Sequence, residues 1–309
     1  MSVAKAVTRR DASGRKPEKQ GRLAFWLLVP ALIAVFGVIV YPIIRTFIIS
    51  VFRVQSAMAT DTPFVGLDNY AKALTNENFW GAMGRTLYFT GVSTALELVL
   101  GLAVAALLNA PLRGRWLFRA IVVIPWAIPT VVNASMWKGI LSAQYGSLNA
   151  VLSQLGIIDQ YQIWLGDPWT ALNMVILADA WKTTPLVAFF LLAGLTLIPK
   201  EIYEAARIDR AGWWRTLRSI TLPMLVPSIS IVVVLRTVEA FKVFDIIYVM
   251  TRGGPANGTQ TIAYYAYVTA FSDQNYGMGS ALSYLIVFVI LILSTIYLRM
   301  LRRSEMSLL

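Results

Sequence analysis

EAARIDRAGWWRTLRSITLP, residues 204 to 223, is a charged island between two apolar runs long enough to cross a bilayer. It carries Glu204, Arg207, Asp209, Arg210, Arg215 and Arg218, and a charged side chain held at mid-membrane costs roughly 3 kcal/mol or more. The island therefore stays at one surface, and the runs on either side of it are separate crossings. A crossing helix needs roughly 20 apolar residues. Six stretches qualify: Leu23 to Val51, Leu87 to Ala110, Leu117 to Leu141, Trp169 to Ile198, Leu222 to Met250 and Ala281 to Leu298. The first is too long for the core of a signal peptide and reads as a retained anchor. The pattern predicts an all-α polytopic membrane protein with six transmembrane helices and short helices between the fourth and fifth.

Composition agrees with that class. Of 309 residues 57% are hydrophobic and 14% charged, far from the average soluble domain. Lys+Arg number 27 against 16 Asp+Glu; in a chain this apolar the basic excess marks cytoplasmic loops rather than nucleic-acid binding. Lys5, Arg9, Arg10, Arg15, Lys16, Lys19 and Arg22, then Arg113, Arg115 and Arg119, Lys200 with the arginines of the island, and Arg299, Arg302 and Arg303 all fall on one side. The other side holds Arg53, Lys72, Arg85, Lys138 and Arg252. Both termini and the island are thus expected to be cytoplasmic. Residues 1–22 read as a basic tail, 23–300 as one six-span domain and 301–309 as a second short tail. Cys and His are absent, which removes disulfides, thiolate and imidazole metal sites and imidazole bases. With no HExxH or GxSxG pattern either, an enzyme is not expected.

Within 199–223, Pro199 suits the start of a helix running to about Asp209. Beyond it, Trp213, Leu217 and Ile220 recur on one helical face, with Arg215 and Arg218 off it. The spacing fits an interfacial elbow on lipid headgroups and a docking site for a partner equally well. The residues themselves resemble the EAA motif of bacterial ABC importer permeases: Glu-Ala-Ala, three residues, Gly, nine residues, Ile, one residue, Leu-Pro. Glu204, Ala205, Ala206, Ile220, Leu222 and Pro223 match at that spacing, and Asp209 matches a commonly acidic position. Arg210 stands where the family has Gly. If that position needs a left-handed turn, Arg210 costs on the order of 1 kcal/mol, unless Gly212 takes over the turn.

The resemblance extends to FVGLDNY at 64 to 70, WKTTP at 181 to 185 and RTVEAFKVFDIIYVMTRGGP at 236 to 255, and is nearest the F-type permeases of maltose and glycerol-phosphate importers. It implies a multi-pass permease of the bacterial cytoplasmic membrane that moves a carbohydrate by alternating access. The implied partners are a second homologous permease, two ATPase subunits and an extracytoplasmic solute-binding protein. It further implies that Glu204, Ala205, Ala206 and Asp209 contact an ATPase subunit and that Ile220, Leu222 and Pro223 tie the segment to the fifth span, with Arg210 and Gly212 completing the ATPase-coupling set. The chain has no GxxxxGK[ST] P-loop, so no cofactor is expected in it; ATP and Mg belong to the ATPase partners.

Charges inside the spans form a second set. Arg236, Glu239, Lys242 and Asp245 recur every three residues, and Asp179 and Lys182 repeat that spacing. Each must pair or face water, on a translocation pathway or in structural pairs. Trp126, Asn133, Trp137, Asn173 and Trp181 are candidate sugar contacts, with interfacial anchoring as the alternative. Pro125, Pro129 and Pro185 can kink the third and fourth spans. A permease for glycerol phosphate or a polyol, a secondary transporter with inverted repeats, and an intramembrane enzyme are the competing readings.

Overall fold

The computed structural model describes residues 17–306 except 57, 59 and 112. Most of the basic tail therefore lies outside the described residues, as do the last three residues of the chain. The contacts divide the chain into two units, Met1–Ile49 and Ser50–Leu309. In the first, α1 (Pro17–Ala34) passes through a π-helical turn (Val35–Val40) into α2 (Tyr41–Ser50), whose last residue already belongs to the second unit. Trp26, Leu27, Ile33 and Val38 are exposed on it, the surface a lipid-facing helix presents. Helix begins at Pro17, inside the stretch read as a tail.

The second unit runs α3 (Asp68–Thr75), α4 (Glu77–Asn109), α5 (Arg115–Ala127), α6 (Thr130–Ile140), α7 (Ser147–Gln154), α8 (Pro168–Thr196), α9 (Lys200–Ile208), α10 (Trp213–Thr216), a π-helical turn (Leu217–Thr221), α11 (Leu222–Phe241), α12 (Asp245–Met250), α13 (Ile262–Tyr267), a further π-helical turn (Val268–Ser272) and α14 (Tyr276–Met306). Among the described residues the only β pairing is an isolated bridge between Phe52 and Phe64. Five helices are long and apolar enough to cross a membrane, or six if α5 and α6 form one broken span.

That break corrects the third expected span. Leu117 to Leu141 is two helices bent by 91°. Pro129 lacks an N–H and forces Ile128 out of helical geometry, to φ −72 and ψ 131. Other ends move too. Asn76 accepts from the Asn78 N–H at 2.8 Å and starts α4 ten residues before Leu87. The fifth span is Trp213–Phe241 as one 29-residue helix, so the amphipathic stretch after Gly212 is the span's own first turns, and α9 is the single short helix between α8 and that span. Pro199 occupies the N-cap of α9.

Lipid is as apolar as leucine, so helix association here rests on close packing rather than on escape from water. Gly101 lets α4 approach α8: a Cβ there would lie 2.6 Å from Val187 Cγ1. α11 packs against both, with Leu108, Leu191, Leu225 and Val232 in the seam. α8 is capped by Asp167, which accepts from the N–H groups of Trp169 at 3.1 Å and Thr170 at 2.9 Å and from Thr170 Oγ1 at 3.0 Å. These bonds, chiefly those from Thr170, hold the Asp167 carboxyl below its ordinary value, about 3.9. Because the folded value is depressed, the cap contributes fully above that ordinary value and is lost as pH falls through the lower, folded one. Asp167→Ala is expected to speed amide exchange at Trp169 and Thr170 at neutral pH, and to make no difference once the parent carboxyl is protonated.

α9 ends in a Schellman motif. The Ala211 N–H donates to Ala206 O at 2.9 Å and the Arg210 N–H to Arg207 O at 3.0 Å, which demands a left-handed residue between them. Arg210 is that residue, with φ 52. Gly212, at φ −65 and ψ 163, does not take over the turn. Arg210→Gly is expected to relieve about 1 kcal/mol of strain and to slow amide exchange at Ala211 about fivefold.

Candidate functional site

Glu97 is the single acidic residue in the run TALELVLGLAVAALL, 94 to 108. It is fully buried where α4 meets α8 and α11, and an isolated buried carboxylate is unaffordable. Its partner is Arg236 of α11. Arg236 donates from Nε to Glu97 Oε2 and from Nη2 to Glu97 Oε1 at 2.8 Å, a two-pronged pair. The same guanidinium reaches Asp179 Oδ2 of α8 at 3.1 Å and Glu239 Oε2 one turn along its own helix at 2.8 Å. Thr183 Oγ1 adds a donor to Glu97 Oε1 at 2.7 Å. Arg236 is 3% exposed. Four of its five N–H donors are taken by its own chain, so its role is to clasp three helices together. Glu97 escaped the sequence reading because the search followed periodic charges, and it stands alone in its run.

Asp179 and Arg236 also stand in the wall of a cavity of about 610 Å³ between α5, α8, α11 and α12, within the usual ligand-pocket range of about 300–1,000 Å³. Lys182, Glu239, Lys242 and Asp245 share that wall, so the six charges expected within the membrane converge on one space, although Lys242 and Asp245 lie beyond the end of the Trp213–Phe241 span. Among the described residues, Lys182, Lys242 and Asp245 enter no salt bridge, and Lys242 and Asp245 are exposed. The aromatic candidates divide. Trp126 is on the cavity wall; Asn133, Trp137, Asn173 and Trp181 are not. Asn173 is occupied by Tyr88 Oη at 2.9 Å and by Trp169 O at 2.8 Å. Trp137 and Trp181 pack edge to face at 6.1 Å, while the buried Asn133 donates to Ala178 O at 3.2 Å. None of these four lines the cavity, and among the described residues Asn133 Oδ1 and Trp137 Nε1 are buried without a hydrogen-bond partner.

The second feature is α9. Tyr203 Oη meets Thr221 Oγ1 at 3.2 Å and ties it to the helix that follows. Glu204, Ala205 and Asp209 are exposed, as is Arg210. Ala206 is buried against its own chain; of the small pair expected to admit a partner, only Ala205 faces outward. Leu197 and Ile208 are 82% and 81% exposed beside them. Ile220 and Leu222 are half-buried and Pro223 exposed.

A family model described as binding-protein-dependent transport system inner membrane component matches residues 97–307. The chain belongs to this family. Among the relatives of this permease, the trehalose/maltose transport system permease protein MalF of Thermococcus litoralis is 41% identical over 281 residues, covering 91% of this chain and 94% of that protein. The trehalose transport system permease protein SugA of Mycobacterium tuberculosis is 37% identical over 298 residues, with 96% and 94% covered. A bacterial ABC transporter involved in the import of the acidic polysaccharide alginate has a chain that superposes with a TM-score of 0.78 at 25% identity, covering 92% of this chain and 96% of that one. The resemblance to ABC importer permeases carried by residues 204–223, and to their carbohydrate branch carried by residues 64–70, 181–185 and 236–255, is borne out.

Proposed function

We propose that the chain is one of two homologous permease subunits of an ATP-driven importer for a neutral di- or oligosaccharide. α9 carries this reading. It is a short, well-ended helix between two long apolar ones, with Glu204, Ala205, Asp209 and Ile208 turned away from its own protein. In a membrane that surface faces the cytosol, and an ATPase subunit grips it. Read as six crossings of the cytoplasmic membrane, with α5 and α6 as one, the chain has an even number of spans, which supports both termini lying on that cytosolic side. When two ATPase subunits close on ATP, the gripped helix carries the spans between inward- and outward-facing states as rigid bodies. A solute-binding protein delivers the sugar to the other surface.

The cavity is the reading's solute compartment. Its wall balances the carboxylates of Asp179, Glu239 and Asp245 against the cations of Lys182, Arg236 and Lys242, which suits hydroxyl groups better than an anion. This favours a neutral saccharide over the glycerol-phosphate alternative. Uptake in proteoliposomes holding the assembled importer is the test. Labelled trehalose or maltose is expected to enter only with ATP, and glycerol 3-phosphate to be excluded. Preferential uptake of the anion, or uptake driven by an ion gradient alone, would overturn it.

A further inference from the structure

We infer that four aromatic rings, Tyr276, Phe271, Tyr267 and Phe244, form a stacking track along which the saccharide reaches the cavity. The inference rests on the transport reading above. In that reading α9 and the start of the Trp213–Phe241 helix lie at the cytosolic surface. The far end of that helix, and residues 242–272 after it, then belong to the opposite surface, where the solute arrives.

The rings are continuous. Tyr276 and Phe271 have centroids 6.2 Å apart, Phe271 and Tyr267 5.2 Å, and Tyr267 and Phe244 4.8 Å. Phe244 is itself a wall residue of the cavity, so the row ends where the solute compartment begins. Tyr264 and Tyr248 support it from the side, both with planes within about 30° of Phe244 at 6.0 and 5.6 Å. Tyr264 is 7% exposed and explained by packing alone; Phe271 is 61% and Tyr248 41% exposed, which packing does not explain.

A pyranose has an apolar C–H face and a hydroxylated edge. The negative face of an aromatic ring attracts the first, and phenolic hydroxyls hydrogen-bond the second. Four of these six track and support residues, Tyr248, Tyr264, Tyr267 and Tyr276, are tyrosines on a surface that leads to a charged cavity, a mixture suited to sugar and poorly suited to lipid tails. Successive rings lie 4.8 to 6.2 Å apart with planes 39° to 89° from one another, so a sugar leaving one ring meets a face or an edge of the next.

The test uses the assembled importer in proteoliposomes and labelled trehalose at limiting and saturating concentrations. Phe271→Ala and Tyr267→Ala are expected to lower uptake at limiting sugar about tenfold, with a much smaller effect at saturation. Phe271→Tyr and Tyr267→Phe should stay within about twofold of the parent. Co-purification of the companion permease should be unchanged in all four. Parent-like uptake by the alanine variants would overturn the inference alone. Loss of the companion subunit in them would overturn it too, by making the row an interface between permeases. No ATP-driven uptake by the parent would overturn the transport reading and this inference with it.

Discussion

Arg236→Met is expected to yield a permease that is poorly folded at growth temperature. Removing one partner of a buried ion pair leaves the others charged and uncompensated, which costs about 3–5 kcal/mol, against a total stability of about 5–15 kcal/mol for a typical domain. Glu97, fully buried, loses both prongs of its pair, and Asp179 loses its guanidinium contact. Glu239 is less affected, because its side chain is 46% exposed and can turn to water. A variant carrying Glu97→Gln, Asp179→Asn and Arg236→Met together is expected to recover most of the loss, since an uncharged cluster of similar volume has no desolvation debt. Thermal unfolding in detergent, followed by tryptophan fluorescence, separates the two. Should the single variant melt with the parent, Arg236 is not the clasp described above.

Glu204→Ala is expected to leave folding intact and to disable transport. Glu204 is exposed in this chain, so nothing internal depends on it. In the proposed assembly its carboxylate meets a basic group of the ATPase subunit, and loss of a charge-assisted hydrogen bond there corresponds to roughly a tenfold to hundredfold loss of coupled uptake. Glu204→Gln keeps the shape and should fall between the two. The readouts are ATP-dependent uptake and co-purification of the ATPase, with the melting temperature as the control for folding. Unchanged uptake with the ATPase still bound would remove Glu204 from the interface.

Much of this architecture was legible because a bilayer sets a length and a polarity, and apolar runs report both. Six charges read within the apolar runs were legible for the same reason, but Glu97, standing alone in its run, was not. Helix ends were less so. Arg85 interrupts the apolar pattern and hid the first turns of α4, yet its Nε donates to Gln260 O at 2.9 Å and is absorbed locally. The break at Pro129 follows from local backbone rules, but a proline inside a span kinks or breaks it according to what the freed carbonyls find nearby, and that is tertiary information. Similarly, adjacent residues such as Ala205 and Ala206 are alike in composition; only the packing of α9 decides which one is exposed. Arg210 takes φ 52, a left-handed conformation that glycine adopts most easily, so the residue type at that position hides the turn.

The continuity of the Trp213–Phe241 helix has a consequence for what the chain can tolerate. Each residue added to or deleted from an α-helix rotates everything beyond it by about 100°. A one-residue deletion between 224 and 235 would leave the hydropathy of the span almost unaltered and its length still sufficient. It would also swing the guanidinium to another quadrant of the axis, facing lipid or a neighbouring side chain instead of its carboxylates. The angular phase between the two ends of this rod is therefore a fixed quantity, and the span admits substitutions far more readily than changes in residue number.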